Sequence, residues 1–212
     1  VWKWTPQGTG ANSTKKENSI RCGSRLRVKD GEVAVFFYSQ NDGTIQDFIV
    51  GPYDGVIDTV NFPILTSIIG SVFGGNSPFS AEIYFINLQK NNQIRFGVPF
   101  FDVFDPRFHD FSVPFAVRGT ITFNISDYKG FIKNNRLINF DLDSFGLQIR
   151  DVVRHYIKTF VTTVPAKYNI PVLQLETRIA ELNSWAKKQL ELIFEEEFGV
   201  NLKRFDISAI EP

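Results

Sequence analysis

Apolar and polar positions follow two different periods along this chain. From Leu26 to Phe123 they mostly alternate with a period of two, the spacing of β-strands with one buried face. "EVAVFFYSQ" (32–40), the turn "NDG" (41–43) and "TIQDFIV" (44–50) predict a hairpin, since Asp and Gly accept the positive φ of tight turns. "SAEIYFINLQ" (80–89) places Ala81, Ile83 and Phe85 on one face and Glu82, Tyr84 and Ile86 on the other. "IRFGVPFFDVF" follows the turn "NNQ" (91–93). In "FSVPFAVRGTITFNIS" (111–126), Val117, Gly119, Ile121 and Phe123 form one buried face.

After Asp127 the period becomes helical. "DYKGFIKNN" predicts a short helix. A longer one over 141–164, capped by Asp143 or Ser144 and ended by Pro165, aligns Ile149, Val152, Val153, Tyr156, Ile157, Phe160 and Val164. A second long helix opens at Pro171 and runs to about Phe198, with Leu175, Ile179, Leu182, Ala186, Leu190 and Ile193 as its stripe. Gly199 stops it. Val200, Leu202, Phe205, Ile207 and Ala209 then alternate in a closing strand over 200–210. The charged "FEEEF" (194–198) predicts a solvated face. Strands, then helices, then one strand predict an α+β fold, mostly antiparallel in its N-terminal half. The expected division is an N-terminal segment with a flexible loop (1–24) and one domain (25–212). That domain is β-rich over 25–127, α-rich over 128–199 and closed by the strand 200–210.

"PILTSIIGSVFGGNSPF" (63–79) stands apart. Ile64, Leu65, Ile68, Ile69, Val72 and Phe73 stack on one side of a short helix, and no charge appears from Val60 to Phe79. Three readings stay open: a connector packed in the core, a hook in a bilayer surface, and a contact between subunits. Burying Ile68, Ile69, Val72 and Phe73 is worth roughly 6–12 kcal/mol in all, so such a segment rarely stays in water. The run is about half the length of a membrane-spanning helix.

Composition narrows the functions. The chain has 212 residues, 43% hydrophobic and 22% charged, the balance of a packed globular protein. Its 23 acids equal its 23 bases, so no net field draws nucleic acid or an anionic surface from a distance. The single cysteine, Cys22, allows no internal disulfide and fits a reducing compartment. The chain begins at Val1 and contains no methionine, which predicts a piece of a longer protein.

Catalytic chemistry needs converging groups. "GTGANSTKK" lacks the Gly-Lys-Ser/Thr order and the strand–helix context of a phosphate loop. His109 and His155 match no zinc spacing, and Cys22 has no histidine near it in sequence. Asp102, Asp105 and Asp110 in "FDVFDPRFHD" are readable as an acid/base or calcium cluster, or as a turn in which Asp caps backbone amides; the Asp-Pro pair favours the turn. The expectation is therefore no enzyme, no cofactor, no metal and no small-molecule substrate.

"NSPFSAEIYFIN" (76–87), "GSRLRV" (23–28) followed by "VAVFF" (33–37), "NFPIL" (61–65), "RGTITFNISDYKGFI" (118–132) and the helix–Gly–strand ending (170–210) resemble the SPFH, or Band 7, superfamily of stomatin-like proteins. They are most similar to its bacterial virion-core-protein-like branch. The resemblance implies a non-catalytic scaffold that self-assembles into a homo-oligomer and organises membrane regions or partner proteins. It implies a cytoplasmic protein, peripheral at the inner face of the cell membrane, with a membrane surface or a membrane-bound protein as partner. The alternative is a soluble protein-binding or phage-like structural module without lipid affinity. A third expectation, an enzyme with an unrecognised site, requires a deep pocket with perturbed titratable groups.

Overall fold

The computed structural model describes residues 1–4, 23–38, 46–57, 81–137 and 140–212. They fall into two compact units, Val1–Gln89 and Lys90–Pro212.

The first unit contains β1 (Trp2–Lys3), β2 (Arg25–Val28), β3 (Glu32–Tyr38), β4 (Gln46–Val50), β5 (Tyr53–Val56) and β6 (Ala81–Asn87). A four-stranded sheet runs β1-β6-β3-β4, and β2 pairs with β5 in a two-stranded one. The β3–β4 hairpin forms as the alternation predicts, antiparallel with Val33 opposite Val50 and Phe37 opposite Gln46; its turn "NDG" lies outside the described residues. Val33 through Phe37 are all buried, which explains why β3 reads as a continuous apolar run. In β6 the expected two faces are both covered, since Ile83, Tyr84, Phe85 and Ile86 are buried together. Leu26, Val28, Ala34, Phe36, Ile49, Ile57, Ile83 and Phe85 make up this unit's core cluster. Trp2 stacks on Phe85 with 4.3 Å between ring centroids.

The second unit holds β7 (Asn92–Asp105), β8 (Phe108–Asn124), α1 (Tyr128–Asn134), α2 (Leu142–Tyr168), α3 (Ile179–Ile193) and β9 (Asn201–Glu211). Its antiparallel sheet has the order β7-β8-β9. The helix α2 packs along β7 and α3 along β9. Between them lies an aromatic core. Phe145 meets Phe123, Phe131 and Phe198 edge-on at centroid distances of 6.1, 5.8 and 5.8 Å. Phe194 meets Phe123 and Phe198 in the same way at 6.2 and 5.8 Å.

Several boundaries depart from the sequence expectation. The cap of α2 is Asp141, whose carboxylate accepts from the backbone N–H groups of Asp143 and Ser144; neither of those residues is itself the cap. Pro165 does not end the helix, which continues to Tyr168 and closes at Asn169 with φ 52°. A proline's fixed φ is helical, and the one intrahelical bond that Pro165 cannot donate does not end a helix whose buried face includes Ile157, Val161 and Val164. Beyond Pro171 the chain makes two 3-10 turns, Val172–Gln174 and Glu176–Arg178, before α3 begins at Ile179. A π-helical turn, Phe194–Phe198, ends the run. It buries Phe194 and Phe198 and leaves Glu195, Glu196 and Glu197 exposed. In β9, register shifts pass over Lys203 and Ser208, so the inward residues are Leu202, Phe205, Ile207 and Ile210 rather than Ala209.

Gly199 ends the π turn with φ 64°. A Cβ there would lie 2.7 Å from the Gly130 carbonyl oxygen and 2.8 Å from the Phe131 Cα. Only glycine satisfies both the left-handed backbone and this close approach to α1.

Candidate functional site: an aromatic hairpin end

The strands β7 and β8 meet at the turn Asp105-Pro106-Arg107, and among the described residues this hairpin carries most of the exposed phenylalanine rings. Phe100, Phe104, Phe108 and Phe111 are 66%, 58%, 60% and 46% exposed. Such values are unusual for rings, and four of them fall within residues 100–111, with Phe100 and Phe104 on the outward face of the hairpin.

Local sequence explains this exposure. "VPFFDVF" puts phenylalanine on both phases of the alternation, so one set must face outward. A register shift between Val98 and Phe101 decides which. Two residues of β7, Pro99 and Phe100, face the single residue Ala116 of β8. Phe96, Val98, Phe101 and Val103 then point inward, while Phe100, Asp102 and Phe104 point outward.

The turn beneath the rings is locked by one buried carboxylate. Asp105 is 2% exposed. Its Oδ1 accepts from the Arg107 backbone N–H at 2.9 Å and from Arg107 Nε at 2.9 Å. Its Oδ2 accepts from the other arm of the same guanidinium at 3.0 Å and from the Val172 backbone N–H at 3.1 Å. The Arg107 guanidinium first, and the two amides with it, hold the Asp105 carboxyl well below the usual carboxylate range. The same pair raises Arg107. Arg107 also reaches over the Phe108 ring, 5.5 Å from its centroid.

The aspartates of "FDVFDPRFHD" do not converge. Asp102 and Asp110 are exposed and Asp105 is buried in the turn, the capping role that Asp-Pro suggested. His155 is exposed on α2. Among the described residues, no group of three or more His, Cys, Asp or Glu is placed to hold a metal ion. Among the same residues, no helix is long and apolar enough to cross a membrane. The segment that the sequence singled out, with Ile64, Leu65, Ile68, Ile69, Val72 and Phe73, lies outside the described residues. The hairpin rings were missed because a period-two reading assigns phenylalanine to the core; the doubled Phe100-Phe101 was the available signal.

A model described as "SPFH domain-Band 7 family" matches residues 13–211. A stretch of 113 residues is 30% identical to "Uncharacterized protein YdjI" of Bacillus subtilis (strain 168), covering 53% of this chain and 34% of that protein. The match thus spans about a third of the length of the curated relative.

Proposed function

Since the chain belongs to the SPFH domain–Band 7 family, we propose that it is a non-catalytic, membrane-associated scaffold whose copies assemble and organise membrane regions or partner proteins. The observation that carries this reading is the exposed aromatic end of the β7–β8 hairpin. Phe100 and Phe104 share the outward face, and transferring the exposed part of each ring into a bilayer interface is worth roughly 1 kcal/mol, so a single copy attaches weakly. The formal net charge of zero removes long-range attraction, so apolar contact carries the binding. Multiple copies in one assembly convert weak single contacts into firm attachment. In this reading the protein works at the inner face of the cell membrane. The apolar residues Ile64, Leu65, Ile68, Ile69, Val72 and Phe73 are a second candidate contact, with lipid or with another copy.

Cross-linking of the protein in buffer and on phosphatidylcholine vesicles tests the scaffold. Higher-order products that increase on vesicles are the expected result. Monomer alone under both conditions contradicts it.

A further inference from the structure

The outward face of the β7–β8 hairpin carries a charge as well as rings. Phe100, Asp102 and Phe104 follow one another along β7 on that face, so the exposed Asp102 carboxylate stands between the two rings. Its cross-strand neighbours are uncharged: Pro114 lies opposite Asp102 and Ser112 opposite Phe104. Asp110, at the same end of the hairpin, is exposed too.

The cations nearest this face are occupied or on the other side. Arg107 is held by Asp105, through Nε at 2.9 Å and the other arm at 3.0 Å. Arg118, farther along β8, pairs with Glu211 at 3.3 Å. Lys158 comes from α2 on the inward side, 6.0 Å from the centroid of the Phe101 ring. Arg95 lies five residues before Phe100 on β7, roughly 15 Å of strand away, beyond the Debye length of about 8 Å at physiological salt. Asp102, by contrast, enters no ion pair among the described residues. The chain as a whole has a formal net charge of zero, but over a Debye length a surface touching the two rings meets a local negative charge.

We infer that the hairpin end selects a zwitterionic lipid surface and is repelled by anionic lipid, with Asp102 as the residue that sets the preference. This rests on the membrane reading above and adds the headgroup class to it. Entry of Phe100 and Phe104 into the interface carries the carboxylate between them to the level of the headgroups. A choline ammonium there meets a carboxylate and ring faces, both of which attract a cation. A phosphatidylglycerol headgroup is negative and has no ammonium to offer. At a surface potential of about −30 mV, each carboxylate lowers the bound population about threefold.

The test is flotation at pH 8, where histidine is uncharged, on phosphatidylcholine vesicles with and without phosphatidylglycerol. Wild type, Asp102→Asn and Asp110→Asn are compared, with circular dichroism establishing that each is folded. The quantity read is the ratio of bound protein on anionic to neutral vesicles, which cancels any change in apolar contact common to both. Wild type is expected to bind less on the anionic vesicles, and added sodium chloride to close the gap. Asp102→Asn is expected to raise the ratio about threefold, and Asp110→Asn to raise it by no more than that. A wild-type ratio of one or above, or a ratio unchanged in Asp102→Asn, overturns the inference and leaves the membrane reading standing. Wild type that floats on neither kind of vesicle overturns both and points to a protein surface as the partner of the rings.

Discussion

The Asp105 carboxylate accepts a hydrogen bond from the Val172 backbone N–H at 3.1 Å, across 67 residues of sequence. It ties the hairpin end to the turn between α2 and α3. Because the folded-state pKa of Asp105 is lowered, its contribution is fully present above the unfolded value of about 3.9 and is lost as pH falls through the depressed folded value. Asp105→Asn therefore melts below wild type at pH 7, and the difference shrinks below about pH 4. Thermal melts of both proteins across pH check this; a difference independent of pH contradicts it.

Two glycines give opposite expectations. Gly199→Ala destabilises by roughly 1–3 kcal/mol, through left-handed backbone strain and the contact with Gly130 and Phe131. Gly146→Ala, inside α2, places its Cβ in ordinary contact 3.5 Å from the Ile94 Cδ1. It stabilises by roughly 0.5–1 kcal/mol, the helical advantage of alanine. Urea denaturation of both variants distinguishes the two environments.

Phenylalanines divide into structural and displayed classes. Phe145, 4% exposed at the centre of the aromatic core, loses roughly 3–5 kcal/mol on substitution by alanine. Phe104→Ser changes stability by roughly 0.5 kcal/mol or less, since most of its ring already faces water. Denaturation midpoints at equal slope provide the comparison. A large loss in Phe104→Ser would mean that the ring is structural.

The α+β order was legible because strand and helix periods change sharply near Asp127. Gly199 was legible as a stop because its position in the pattern matches its backbone role. The start of α3 was not. Pro171 and the apolar residues after it fit a helix, but the Val172 N–H serves Asp105 and the chain takes 3-10 turns there instead. Such long-range partners leave no trace in local spacing. The β9 register was hidden for a related reason: Lys203 and Ser208 are bulged, and a strict alternation assigns Ala209 where Ile210 is buried. The outward rings were obscured by the bulge at Pro99 and Phe100, which fixes which rings face water.

The most direct measurement is flotation of the protein on neutral phosphatidylcholine vesicles, wild type beside the Phe104→Ser/Phe108→Ser double variant, with circular dichroism establishing that both are folded. The account predicts that wild type floats and that the folded variant remains in the dense fraction. Equal flotation of the two, or no flotation of wild type, contradicts the assignment of the hairpin end as a membrane contact.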